Sequence, residues 1–158
     1  MDFKQYVISL RIIHLALIMG VCFICLALFF VNRGQEAIDA ALPFNENFLF
    51  ILAFIPWFGS RFAYRSGIAK IPSIPDLGQK LLHYRKTLIF SLAISEGITM
   101  LSVILYFFIA PSSILLFVIA TGMISMLLLR PSEARIINEL QLYPEEEKKL
   151  QDVIIPAR

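Results

Sequence analysis

Four apolar segments separated by polar loops dominate the hydrophobic pattern of the chain. They cover about residues 7–31, 44–64, 87–109 and 114–129. A helix rises 1.5 Å per residue, so about 20 apolar residues cross a hydrocarbon core of about 30 Å. The pattern therefore predicts an all-α membrane protein with four antiparallel transmembrane helices. We expect residues 1–130 to form the transmembrane domain and residues 131–158 a short cytoplasmic helical tail.

The second segment is the least regular of the four. Its uninterrupted apolar part covers only residues 48–58, and Pro56 and Gly59 near its far end favour a kink. We expect it to span with Arg61 reaching the interface, and a buried re-entrant segment is the alternative. From Asp76 the pattern becomes amphipathic, which predicts an interfacial helix that continues directly into the third span.

The third span contains one ionisable residue, Glu96, close to its middle. A carboxylate at the bilayer midplane costs about 2.5–3.5 kcal/mol on insertion scales, so it normally faces protein or trapped water. Ser91, Ser95 and Thr99 belong to a hydroxyl-rich stripe on the same helix, and Glu96 lies about 60° beyond its edge. These residues form the candidate site.

Three interpretations of Glu96 stay open from the sequence alone. It could be a proton or cation site whose titration is coupled to movement. It could be a structural carboxyl that is hydrogen-bonded to Ser91, Ser95 or Thr99 or to a neighbouring span. It could also bind a basic residue of a partner protein.

Small residues mark two candidate helix contacts. Ala16 and Gly20 form a small-xxx-small pair in the first span, a spacing that lets another helix approach closely. Gly122 and Ser125 offer small positions where the fourth span can pack on the third.

The distribution of basic residues predicts the topology. Of the 14 Lys and Arg residues, only Arg33 lies in the loop between the first and second spans. The others fall on the opposite side: Lys4, Arg11, Arg61, Arg65, Lys70, Lys80, Arg85, Lys86, Arg130, Arg135, Lys148, Lys149 and Arg158. By the positive-inside rule, we expect a multi-pass protein of the inner membrane with both termini in the cytoplasm.

Composition agrees with a membrane location. Hydrophobic residues make up 58% of the chain and the mean hydropathy is +0.76. The net charge of +2 is too small to indicate a nucleic-acid partner. We expect the lipid bilayer, a homo-oligomer or a larger membrane protein as partners.

No residue pattern predicts catalysis, a metal or a cofactor. Cys22 and Cys25 are expected to pack as small apolar residues. His14 and His83 are expected near the cytoplasmic headgroups. The chain contains neither a glycine-rich phosphate loop nor a nucleophile in a supporting context.

The tail contains two helical stretches. Residues 132–140 place Ile136 and Leu140 on one face, and Pro144 begins the second stretch. We expect a solvated or membrane-surface appendage without a fold of its own.

Two stretches of the chain resemble known membrane proteins. The third span, in HYRKTLIFSLAISEGITMLSVILYFFI, resembles the ion-carrying helix of rotary ATP synthase c-type subunits through its basic entry, the Thr nine residues before the acid and the Ala three before it. The preceding segment lacks the repeated glycines of the c-type inner ring. Over its whole length the chain resembles small four-span bacterial membrane proteins of unassigned activity, through RIIHLALIMG, YRKTLIFSLAISEG and LLLRPSEARIINELQL. That resemblance implies only topology.

These observations predict a non-enzymatic subunit or accessory of a membrane assembly, with Glu96 as a buried polar residue at a helix contact. The alternative is a small proton-coupled transporter or ion-conducting oligomer that titrates Glu96. Compact four-span multidrug exporters offer the analogy, although their membrane Glu lies in the first span.

Overall fold

The computed structural model describes residues 3–31, 51, 54–108 and 113–142. Regular structure within these ranges is helical and includes no strand, which confirms the all-α prediction. The helices are α1 (Phe3–Val31), α2 (Ser60–Ile68), α3 (Leu77–Phe108), α4 (Ser113–Leu128) and α5 (Glu133–Leu140). A π-helical turn, Ile55–Gly59, precedes α2, and a 3-10 turn, Ile71–Ser73, follows it.

Two of the described helices, α1 and α3, are long and apolar enough to cross a membrane. α1 has 29 residues and a mean hydropathy of 2.8 in its most apolar stretch, and α3 has 32 residues and a mean hydropathy of 2.0. At 1.5 Å per residue both exceed 40 Å, against a hydrocarbon core of about 30 Å. They contain the first and third predicted spans. α3 is continuous from Leu77, so the interfacial helix and the third span form one element.

The other two predicted spans are not established in the same way. Residues 44–50, 52 and 53 of the second lie outside the described residues. α4 has 16 residues and measures about 24 Å, which is shorter than the hydrocarbon core. The chain bends by 77° between α4 and α5, and this bent pair counts as a third candidate span only if it is taken as one unit. Pro131 explains the break, because its ring cannot continue a helix.

α3 is the central element, since it contacts α1, α2, α4 and α5. The main core lies at the end of the bundle where α1 and α3 begin and α4 ends, which we call the basic end. Its fully buried members include Tyr6, Leu10, Leu81, Tyr84, Leu88 and Leu92. Beyond Val21, α1 has no buried residue within the described chain.

α5 is part of this core, which corrects, for Glu133–Leu140, the solvated alternative that was expected for the tail. Ser132 caps the helix, because its Oγ accepts a hydrogen bond from the Arg135 backbone amide at 3.3 Å. Gln141 ends it in the left-handed region with φ 48°. Ile136 and Leu140 have no exposed surface and join the main core. The amphipathic face of this helix therefore packs on the bundle.

Several features of the predicted topology lie outside the described residues. They are the loop at 32–46 with Arg33, the turn at 110–112, and the second stretch of the tail with Lys148, Lys149 and Arg158.

Candidate functional site

Glu96 lies on α3 at the border between the buried and the exposed side of the helix. Its side chain is partly exposed, and the next residue, Gly97, is exposed. A Cβ placed on Gly97 would meet no atom within 4 Å. No hydrogen bond or ion pair joins Glu96 to another described residue.

The three hydroxyls that we predicted beside Glu96 bond elsewhere. Ser91 donates to the Thr87 carbonyl oxygen at 2.8 Å, and Thr99 donates to the Ser95 carbonyl oxygen at 2.7 Å. Both are bonds within α3, and Ser95 instead bonds to other segments. All three residues are buried. The three hydroxyls lie on one side of α3. Glu96 lies on a different side, since consecutive helical residues point 100° apart.

A buried cluster of three serines is the most connected polar site inside the described bundle. Ser60 of α2, Ser95 of α3 and Ser125 of α4 surround the carbonyl oxygen of Pro56, and we call this group the serine cluster. Ser125 Oγ lies 2.8 Å from that oxygen and Ser95 Oγ lies 3.2 Å from it, and Ser60 also donates to it. Ser125 Oγ is 2.9 Å from Ser60 Oγ and 3.1 Å from Ser95 Oγ. The cluster therefore links three helices to one turn.

The hydrogen bonds of the serine cluster exceed what one carbonyl can accept. A carbonyl oxygen has two lone pairs, whereas three hydroxyl protons lie within reach. One serine must therefore donate to another serine at any moment, and the short Ser–Ser distances permit this. The group can satisfy all its polar atoms in more than one arrangement, so losing a single hydroxyl leaves donors for the carbonyl.

The local sequence explains why the cluster forms at this point. The π-helical turn at Ile55–Gly59 interrupts the regular α-helical bonding pattern, and Pro56 has no amide proton to donate. Ser60 follows Pro56 by four residues, so its hydroxyl can donate back to the Pro56 carbonyl oxygen. Gly122 lets α4 approach α3, because a Cβ there would lie 1.9 Å from Thr99 Oγ1. Gly122 and Ser125 are both buried at this contact.

The other predicted packing pair, Ala16 and Gly20, does not lie at a contact between described helices. Ala16 is exposed, and a Cβ on Gly20 would meet no atom within 4 Å. Within the described residues, the structure does not bring either one against a neighbouring helix.

His14 joins two helices. It is buried, and its Nε2 atom donates to the Met126 carbonyl oxygen at 2.8 Å, near the end of α4. His83 makes a similar bond to the Gly67 carbonyl oxygen at 3.1 Å. The Met126 carbonyl also accepts from the Leu129 amide and the Gly67 carbonyl from the Lys70 amide, so each histidine uses the remaining lone pair. Cys22 is exposed and Cys25 is partly exposed, and both are free thiols.

A second polar network lies at the basic end and fastens α5 to the bundle. Tyr64 donates to the Glu139 carboxylate, and its hydroxyl lies 3.1 Å from that of Tyr84. Arg135 binds Glu139 at 2.9 Å and stacks over the Tyr64 ring. Burial lowers the pKa of Arg135, but the hydrogen bond to Glu139 and nearby charges raise it, and the net shift is upward. Arg135 therefore stays charged.

Neither the serine cluster nor the network at the basic end was predicted from the sequence. Ser60 and Tyr64 could not be identified because their partners lie on helices that are distant in the sequence. The pattern predicted a helix over residues 132–140, but nothing in it indicated that Glu139 would meet a tyrosine from α2.

The described residues include no group of three or more His, Cys, Asp or Glu side chains placed to hold a metal ion. Comparison of the chain with protein-family models, with curated proteins and with solved structures found no match.

Proposed function

We propose that this protein is a non-enzymatic integral membrane protein that acts as a subunit or accessory of a larger membrane assembly. It spans the inner membrane four times with both termini in the cytoplasm, and Glu96 contacts a second protein chain. The observation that carries the proposal is the partly exposed Glu96 carboxyl, on a helix of membrane-crossing length, without a partner among the described residues.

The energetic reason is the cost of a carboxyl that faces lipid. At the bilayer midplane that cost is about 2.5–3.5 kcal/mol, and a hydrogen-bond donor from another helix recovers about 1 kcal/mol of it. The surface around Glu96 suits such a helix. Gly97 is bare, and Leu101 and Ile104 are 47% and 48% exposed one and two turns further along. We call Glu96, Gly97, Leu101 and Ile104 the Glu96 face.

The ion-coupling alternative has less support. An ion or proton site in a membrane needs further polar groups around the carboxyl. Ser95 is engaged in the serine cluster, and Ser91 and Thr99 bond within α3. None of these hydroxyls bonds to Glu96, so the role that the site supports best is assembly.

Site-specific photocrosslinking in native membranes tests the proposal. A photoreactive amino acid at Leu101 should form an adduct with protein, and the adduct mass distinguishes a second copy from another chain. Glu96→Ala should lower the yield about fivefold, the equivalent of about 1 kcal/mol for one interhelical hydrogen bond. Glu133→Ala is the matched control, because Glu133 is an exposed carboxylate outside the predicted spans.

Two results would count against the assembly role. An adduct with lipid alone at Leu101 would show that no protein contacts this face. An adduct yield that does not change in Glu96→Ala would show that the carboxyl is not part of the contact. Intact adducts in Glu96→Gln together with loss of pH-dependent transport would favour the ion-coupling alternative.

A further inference from the structure

A groove of about 900 Å³ runs between α2 and α3. Its body is apolar, with Phe62 and Ala63 on α2 and Phe90, Ala93 and Ile94 on α3. Lys70 and Lys86 line one end of the groove. The groove therefore combines a long apolar channel with a cationic mouth.

The two helices set the shape of the groove. At Gly67 they touch, because a Cβ there would lie 2.3 Å from Thr87 Cγ2 and 2.5 Å from its Oγ1. Further along, a Cβ on Gly59 would lie 3.8 Å from Ile94, an ordinary contact distance. Phe62 and Phe90 stand beside the groove with 75% and 63% of their surface exposed.

The length of the groove matches one leaflet of a bilayer. From Lys86 to Ile94 the helix rises about 12 Å, and half of the hydrocarbon core is about 15 Å. The cationic mouth lies toward the basic end, which our topology places at the cytoplasmic headgroups. Anionic lipids are concentrated in that leaflet, and basic pockets between membrane helices bind their headgroups.

The two lysines are available for an anion. Both side chains are exposed, and neither ammonium group forms a hydrogen bond or an ion pair with another described residue. Two other basic side chains of this end are engaged, since Arg135 binds Glu139 and Arg11 donates to the Pro131 carbonyl oxygen. A polar headgroup with a negative charge complements Lys70 and Lys86, and an acyl chain complements the apolar channel.

We propose that this groove binds one anionic glycerophospholipid, with the phosphate between Lys70 and Lys86 and one acyl chain along Phe62, Ala93 and Ile94. The groove and the Glu96 face follow one another along α3, since Ala93 and Gly97 are four residues apart and lie on the same side of the helix. Either proposal can fail without the other.

Native mass spectrometry of the full chain in mild detergent tests the lipid site. Phosphatidylglycerol is compared with phosphatidylcholine of the same acyl chains. We expect one phosphatidylglycerol to bind about 25-fold more tightly, and Lys70→Gln with Lys86→Gln to abolish that preference, since each of the two lysines near an anionic headgroup contributes about a fivefold effect. Lys4→Gln with Arg130→Gln is the charge-matched control, because both residues are exposed and lie outside the groove.

The apolar part is tested by Ala93→Trp, which should fill the channel and weaken phosphatidylglycerol binding while the chain still elutes as a folded species. Glycerol 3-phosphate should not compete, because it lacks an acyl chain. Equal loss in the Lys4/Arg130 control, unchanged binding in the Lys70/Lys86 variant, or competition by glycerol 3-phosphate would each overturn the proposal. So would a protein adduct from a photocrosslinker at Ala93.

Discussion

Two faces of α3 differ in how their polar side chains are hydrogen-bonded. Their central residues, Ser95 and Glu96, are adjacent in the sequence. Ser95 is fully buried and bonds to both the π-turn and α4. Glu96 is partly exposed and has no such bond within the described chain. The polar groups of the Ser95 face are hydrogen-bonded within the protomer, whereas the Glu96 face carries a carboxyl at the surface of the protomer.

The difference follows from what each side chain needs. A serine or threonine hydroxyl can donate to a carbonyl of its own helix four residues back, as Ser91 and Thr99 do. A carboxylate accepts hydrogen bonds only, so it requires donors. The amide protons of a helix interior are already used by its own ladder. A buried hydroxyl stripe can therefore be satisfied internally, whereas a membrane carboxylate has to find a partner elsewhere.

The largest expected effect of a single substitution separates two glycines on these faces. Gly122→Leu should destabilise the fold by about 3 kcal/mol, because even a Cβ would overlap the Thr99 hydroxyl. Gly97→Leu should leave the fold intact, since nothing lies within 4 Å of its Cβ position. Thermal unfolding in detergent, followed by size-exclusion chromatography, measures both. Equal melting temperatures would show that α4 does not pack on α3 through Gly122.

A pair of leucines gives the next largest contrast. Leu92 has no exposed surface and Leu101 is 47% exposed on the same helix. Leu92→Ala should cost about 2–3 kcal/mol through the cavity that it leaves, while Leu101→Ala should cost less than about 0.5 kcal/mol. Both substitutions delete the same atoms, so they differ only in surroundings. Equal losses in chemical unfolding would mean that another chain also buries Leu101, which would itself support the assembly role.

The serine cluster should respond non-additively. Replacing Ser60, Ser95 or Ser125 singly with Ala should cost about 0.6 kcal/mol each, because the Pro56 carbonyl keeps other donors. The triple variant leaves that buried carbonyl without any of the three hydroxyls and should cost about 1–3 kcal/mol beyond the sum of the singles. Unfolding of the four variants in the same detergent tests this. Strict additivity would show that the hydroxyls act independently.

The parts of the fold that depend on period and length were predictable from the sequence. The apolar runs that became α1 and α3, and the face of α5 that carries Ile136 and Leu140, could all be read from one segment at a time. Contacts between segments could not. The bond from His14 to the α4 end and the meeting of Glu139 with Tyr64 depend on how helices far apart in the chain are placed together.

The candidate site shows the same limit. Helical geometry placed Glu96 beyond the edge of the hydroxyl stripe, which matches its separation from the serine cluster. The partner of Ser95 was not predictable, because it is a backbone carbonyl in a π-turn whose position only the assembled bundle defines.

The smallest expected effect concerns Glu96 itself. Glu96→Gln should change the unfolding free energy of the isolated protomer by less than about 0.5 kcal/mol, because the side chain makes no bond to the described protomer and the substitution preserves its shape. Ser95→Ala, one residue away, should cost slightly more despite removing only a hydroxyl. Unfolding of both variants should be measured in detergent, at a protein concentration low enough to prevent association. If Glu96→Gln lowers the unfolding free energy more than Ser95→Ala does, then Glu96 forms its contacts within the protomer, as Ser95 does, and does not need a second chain.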